Sequence, residues 1–196
     1  MQQPNDHLPI KSEHSLINRC ARFAWGLIWL FLFRPSPRIC HGWRTMLLRL
    51  FGAKINGRVK IYNTVQIWAP WNLEVGEGSV ISDYVNCYCV APITIGRQVI
   101  ISQYSYLCAA THDYTDASFP LRTNPLVVHD KAWVAADVLV GPGVVIGEGA
   151  VIGARSSVFK SVNPWVVVAG NPARFMKKRV LKSKDQPDEH AGASAP

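Results

Sequence analysis

From about Ile55 onward the apolar positions of the chain fall at every sixth residue. The cleanest run is Val128, Val134, Val140, Ile146, Ile152 and Val158. Glycines follow one residue later at 141, 147 and 153, and Ala132, Val138, Val144, Ala150, Ser156 and Val162 stand four residues later. Earlier fragments keep the spacing at Ile55, Ile61 and Ile67, at Val75 and Ile81, and at Ile95, Ile101 and Leu107, with a slip of two residues between fragments. An amphipathic strand has period two and a helix about 3.6, so neither explains a period of six. Six is the repeat of β-helix solenoids. Each hexapeptide then supplies a short strand and a turn, three close a triangular coil, and successive coils pair in parallel. The aliphatic residue points inward, the following glycine accommodates the bend, and small residues fit the corners.

Upstream the pattern is helical. Phe23 to Phe33 is uninterrupted apolar sequence bounded by Arg22 and Arg34 and broken by Pro35-Ser-Pro37. It falls short of the about 20 residues a helix needs to cross a bilayer. Trp43 to Phe51 is amphipathic, with Arg44 and Arg49 beside Trp43, Leu47, Leu48 and Leu50. Residues 1–52 therefore read as an apolar and amphipathic helical segment. Two placements stay open: residues 23–51 in peripheral contact with a membrane, or a helical hairpin packed on the main domain or a neighbouring subunit. Residues 53–170 are the β-helix, interrupted at 108–127, where the register vanishes and Pro120 and Pro125 appear. A rigid solenoid with one long loop is a common way to place chemistry. A short basic helix is expected over 171–184 and a disordered tail over 185–196.

Composition narrows the function. With 196 residues, 48% apolar and 17% charged, the chain is globular, and its 21 Lys and Arg against 13 Asp and Glu favour anionic partners. Nucleic acid has only this charge behind it, without a stacking surface or motif. Five cysteines without a CxxC pair (Cys20, Cys40, Cys87, Cys89, Cys108) read as reduced core residues of a cytoplasmic protein, and no cleaved-signal pattern opens the sequence. A zinc hydratase on this fold needs three converging histidines. Only His112 and His129 lie in the repeat region, so no metal is expected. Gly141-Pro-Gly143 lacks the ending and context of a phosphate loop and reads as a corner. The alternative to an enzyme is a binding or scaffold module that the N-terminal segment docks to a membrane complex.

Several stretches carry a resemblance: Leu32-Phe-Arg-Pro-Ser-Pro37, Leu48-Arg-Leu-Phe-Gly-Ala53, Thr111-His-Asp-Tyr-Thr-Asp116 with Phe119-Pro-Leu121, and Val168-Ala-Gly-Asn-Pro-Ala173. Over roughly residues 15 to 180 the chain resembles the hexapeptide acyltransferases, in the branch of galactoside, maltose and nodulation-factor acetyltransferases, and most of all the colanic acid biosynthesis acetyltransferase family. The resemblance implies a left-handed β-helix and a homotrimer with three active sites between neighbouring subunits. It also implies acetyl-CoA as acetyl donor lying in a groove beside the coils.

An alcohol attacking a thioester needs a base in hydrogen-bond reach, and a neutral imidazole titrates in the right range. His112 is the one histidine of the thrown-out loop and matches the family's catalytic histidine. No Ser, Cys or Lys sits in a motif that demands an acyl-enzyme, so direct transfer to a sugar or glycan hydroxyl is expected. Asp113 and Asp116 are candidates to orient the imidazole, to contact sugar hydroxyls or to cap the loop. Asn86 lies near where relatives place a substrate-binding Asn, and Tyr88 and Tyr114 are further sugar contacts. By the resemblance, Trp133 lines the cleft, the Ala136 and Ala154 backbones meet the pantetheine arm, and Lys160, Arg174 and Lys177 lie near the CoA phosphates.

Overall fold

The computed structural model describes residues 15–181. The hexapeptides form a parallel β-helix. Strands β1 (Lys54–Ile55), β2 (Lys60–Ile61) and β3 (Gln66–Ile67) make the first coil, and β4 (Leu73–Val75), β5 (Val80–Ile81) and β6 (Asn86–Tyr88) the second. The third holds β7 (Ile93–Ile95), β8 (Ile100–Ile101) and β9 (Tyr106–Cys108). A hairpin of β10 (Ala110–His112) and β11 (Leu121–Thr123) then leaves the prism. The chain re-enters as β12 (Leu126–Val128), β13 (Trp133–Val134) and β14 (Leu139–Val140), followed by β15 (Val145–Ile146), β16 (Val151–Ile152) and β17 (Ser157–Val158). A last parallel strand, β18 (Val166–Ala169), stacks on β16. The three faces are β1-β4-β7-β12-β15, β2-β5-β8-β13-β16-β18 and β3-β6-β9-β14-β17.

The inward positions are those of the six-residue period. Ile61, Ile81, Ile101, Val134 and Ile152 stack in register up the second face and are fully buried. The slip of two residues between early fragments falls at the edge from third face to first, where Pro70–Asn72 forms a short helical turn and Cys89 to Pro92 fills the next coil. Buried corner serines are satisfied: Ser79 Oγ donates to the Gly96 carbonyl (2.6 Å) and accepts from the Val99 N–H (2.9 Å).

The glycines after the aliphatic position act differently from the expectation. A Cβ on Gly147 would collide with the backbone of Asn163 and Pro164 on the next coil, so what it supplies is room for coil stacking. The left-handed bend falls two residues further on, as at Gly149 (φ 63°), and non-glycines take it at Lys131, Asp137 and Arg155. Of the five unpaired cysteines, only Cys87 and Cys89 are core residues; Cys20 is exposed and Cys40 and Cys108 are half-buried. Burial pushes the Cys89 thiol up to about 11 and Cys87 up further.

Helix α1 (Leu16–Ile28) is capped by Ser15, which accepts from the Asn18 N–H, and runs on through a wider π-helical turn, Trp29–Phe33. The helical run is therefore 18 residues of mean hydropathy 1.3, long and apolar enough to cross a membrane by length and composition. This corrects the shorter estimate, which counted only the unbroken apolar stretch; the helix begins earlier, at the Ser15 cap, and takes in Asn18 and Arg22. That face packs on the prism: the Trp25 and Trp29 indoles donate to the Ile67 and Val65 carbonyls at 2.7 and 2.8 Å.

Helix α2 (His41–Leu50) packs against β1 and β2, burying Leu47 and Leu48. Its expected polar face is only half right, since Arg44 is fully buried. Arg44 donates to the carbonyls of Ile61 (2.6 Å), Pro37 (2.8 Å) and Arg38 (2.7 Å) and to Ser36 Oγ (2.8 Å).

The C-terminal basic helix is also corrected. Arg174–Lys178 is a strand, β19, antiparallel to β18 and exposed along its length. The turn through Gly170 and a cis Asn171–Pro172 bond returns the chain along β18, whose free edge offers a ladder that outweighs helix propensity. Within the predicted tail, 185–196, all residues lie outside those described, as do residues 1–14 of the N-terminal segment.

Candidate active site

His112 ends β10, on the hairpin that bulges from the edge between the third and first faces. Its side chain is exposed, and Nδ1 lies 2.6 Å from the Phe119 carbonyl oxygen. A carbonyl only accepts, so Nδ1 carries the proton and the neutral ring keeps its lone pair on Nε2. The loop geometry behind this contact is local. Asp113 N–H donates to the Pro120 carbonyl (3.0 Å), and the Phe119 N–H donates to the Asp116 carbonyl (2.9 Å) with Phe119 at φ 46°.

Of the roles open to Asp113 and Asp116, the structure shows loop capping. Asp113 Oδ1 accepts from Thr115 Oγ1 (2.6 Å) and N–H (3.1 Å), and Asp116 Oδ1 accepts from the Ser118 N–H (2.9 Å) and Oγ (2.8 Å). These donors hold both carboxyls below the usual carboxylate range, with Arg122 helping at Asp113. The partner that orients the imidazole is a backbone carbonyl seven residues along, which side-chain pattern does not reveal. Tyr114 is 84% exposed at the loop tip.

Asn86 and Tyr88 lie on β6 and line a cavity of about 410 Å³ between the third face and α1, with Trp25, Trp29, Trp68 and Arg22. The Arg22 guanidinium sits 3.9 Å from the Trp68 ring centroid, and Trp68, Tyr88 and Tyr106 follow one another at 5.4 and 6.2 Å. Burial and the Cys108 side chain push the Tyr106 phenol up. Arg22 and Trp68 escaped the sequence reading. The coil spacing that stacks Trp68 beside Tyr88 could have found the second; nothing local signals the first.

Trp133 is half-exposed on the second face, its indole donating to Ser102 Oγ (3.0 Å). Ala136 and Ala154 stack one coil apart at the next edge and share a cavity of about 450 Å³ with Tyr104, Asp137 and Arg155. Tyr104, missed in the sequence, stacks on Tyr84 with ring centroids 5.1 Å apart. Lys160 and Arg174 converge on a cavity of about 540 Å³ with Phe159, Asn163 and Phe175. Lys177 lies further along β19, paired with Val167.

The single chain thus separates these residues into two groups. Lys160 stands on the same edge as the His112 hairpin, two coils on, roughly 10 Å along the axis at the spacing of paired strands. Trp133, Ala136 and Ala154 belong to another face and edge. Among the described residues no group of three His, Cys, Asp or Glu could hold a metal ion.

Residues 125–160 match the family model described as bacterial transferase hexapeptide (six repeats). The protein named colanic acid biosynthesis acetyltransferase WcaF in Escherichia coli K12 is 47% identical over 156 residues, covering 80% of this chain and 86% of the relative. A maltose O-acetyltransferase structure from Clostridium difficile 630 superposes with TM-score 0.78 at 25% identity, over 85% of this chain and 90% of that one. A hexapeptide-repeat acetyltransferase of Vibrio cholerae O1 biovar eltor, solved with acetyl coenzyme A, gives 0.76 at 26% identity, over 84% and 90%. Six-residue strand-and-turn repeats, a histidine-bearing hairpin and this identity across the aligned length place the chain in the colanic acid biosynthesis acetyltransferase family of hexapeptide-repeat transferases.

Proposed function

We propose that the protein transfers the acetyl group of acetyl-CoA directly to a sugar hydroxyl in exopolysaccharide or related glycan biosynthesis, with His112 as general base. The observation that supports this reading is the Nδ1 contact to the Phe119 carbonyl, which leaves the Nε2 lone pair free to take a proton. The acceptor hydroxyl gives its proton to Nε2 as its oxygen bonds to the thioester carbonyl carbon. Collapse of that adduct breaks the C–S bond, and the imidazolium returns the proton to the leaving thiolate. No covalent acyl-enzyme is needed.

The donor fits the residues present. Lys160 and Arg174 supply positive charge for the CoA phosphates, with Lys177 beyond them, and the small Ala136 and Ala154 let a pantetheine arm approach the backbone. Trp133 flanks that arm. Because these alanines and His112 occupy different edges of the prism, the active site is completed between subunits of a homotrimer, one giving the histidine and its neighbour the alanine edge. Asn86, Tyr88 and Tyr114 contact the acceptor, the aromatic floor of Trp68 and Tyr88 suiting the apolar face of a sugar ring. The reaction belongs in a reducing cytoplasm, as five cysteines without a CxxC pair fit.

The test is to supply acetyl-CoA with free sugars, nucleotide sugars and lipid-linked saccharides, following thiol release and product mass together. Acceptor-dependent thiol release with an alkali-labile O-acetyl ester is expected. An amide product, or acetyl-CoA left intact with every class of acceptor, would contradict the reading.

A further inference from the structure

Helix α1 and its π-helical extension use only one face against the prism. The opposite face leaves Leu16 (75% exposed), Ile17 (82%), Phe23 (71%), Leu27, Leu30 and Phe31 (66%) uncovered, and 11% of the 18-residue run is buried. Buried inner-face residues such as Trp25 and Phe33 already account for packing on the coils. The outer stripe contributes nothing to that core, and its exposure to water is unfavourable.

The charge around the stripe identifies its occupant. Between Ser15 and Leu73 the sequence holds nine Lys and Arg residues and no Asp or Glu. This segment is the whole base of the prism: both helices and the first coil. Four of these cations are engaged, Arg44 in the interior, Arg22 over Trp68, Arg38 with Asp83 and Arg49 on the Ile55 and Gly57 carbonyls. Arg19, Arg34, Lys54, Arg58 and Lys60 remain exposed. An apolar stripe on a helical run that carries Arg19 and Arg22, ends at Arg34 and, among the described residues, holds no Asp or Glu matches an anionic lipid surface, acyl chains taking the stripe and headgroups the arginines.

We infer that α1 is an in-plane anchor that docks the base of the β-helix on an anionic bilayer. It does not cross that bilayer, because the Trp25 and Trp29 indole hydrogen bonds and buried Phe33 fix its inner face to the first coil. The docking itself stands apart from acetyl transfer; its consequence, resting on the proposed function, is that the cavity between α1 and the third face sits at the membrane surface.

The full-length protein is sedimented with phosphatidylglycerol–phosphatidylcholine vesicles and with phosphatidylcholine alone, at low and high salt. Binding to the anionic vesicles that weakens with salt is expected. Phe23→Ser with Phe31→Ser, at exposed sites, is expected to lower the partition coefficient by at least about tenfold with thermal unfolding and solution mass unchanged. Arg19→Gln with Arg34→Gln is expected to reduce binding to the anionic vesicles alone. Wild-type protein that stays in the supernatant, or serine variants that partition like wild type, would overturn the inference. So would a fall in solution mass in the serine variants, which would make the stripe a contact between copies of the chain.

Discussion

At His112, a backbone carbonyl decides which nitrogen is available for chemistry, and a small capped turn decides where that carbonyl sits. The Asp113 and Asp116 carboxylates accept from Thr115 and Ser118 and thereby fix the turn that aims the Phe119 carbonyl at Nδ1. Both carboxyls titrate below their ordinary 3.8. The sign follows from the depression: these contacts are present above the ordinary value and are lost as pH falls through the folded-state value. In a pH titration followed by NMR, the Thr115 and Ser118 amide shifts should move with midpoints below 3.8; midpoints above it would dissociate the turn from its carboxylates. His112 was legible in the sequence because it sits where the six-residue period fails. Its orienting partner was not, because any residue can supply a carbonyl and only the turn says which one does. The Arg22–Trp68 stack was hidden for a related reason, since it exists only after α1 docks on the third face.

Among the elements, the strands were legible one by one because each hexapeptide declares its inward residue. The segments outside the repeat were less so. Arg44 looks like a solvent-facing residue of an amphipathic helix, yet three main-chain carbonyls and a serine draw it inside. Desolvation lowers its pKa, and the hydrogen bonds compensate that cost. Arg44→Ala would remove the donors that tie Ile61, Pro37, Arg38 and Ser36 together and leave a void among them, costing about 3 kcal/mol, read as a fall in the chemical denaturation midpoint. Arg44→Lys should recover only part, because one ammonium cannot reproduce the guanidinium fork. A loss within experimental error for Arg44→Ala would show that the base of the prism does not depend on this residue. Strand β19 teaches the complementary lesson: Arg-Phe-Met-Lys-Lys has helical composition, and the unpaired edge of β18 makes it a strand.

For the whole molecule, the β-helix is a rigid ruler that spaces chemistry by coil and edge. His112 and Lys160 share one edge, while Ala136 and Ala154 occupy another, an arrangement that suits the site proposed between two subunits of a trimer. Mixing His112→Ala subunits with Ala154→Trp subunits, each inactive alone, should restore up to about a quarter of wild-type activity; mixtures as inactive as their components would place the whole site within one subunit. The central claim is that Nε2 of His112 takes the acceptor proton. Its most direct test is single-turnover acetyl transfer by wild type and His112→Ala, with acetyl-CoA affinity measured alongside. The account predicts a rate lower by about 10²- to 10⁴-fold at unchanged affinity, whereas equal transfer rates in the two proteins would contradict it.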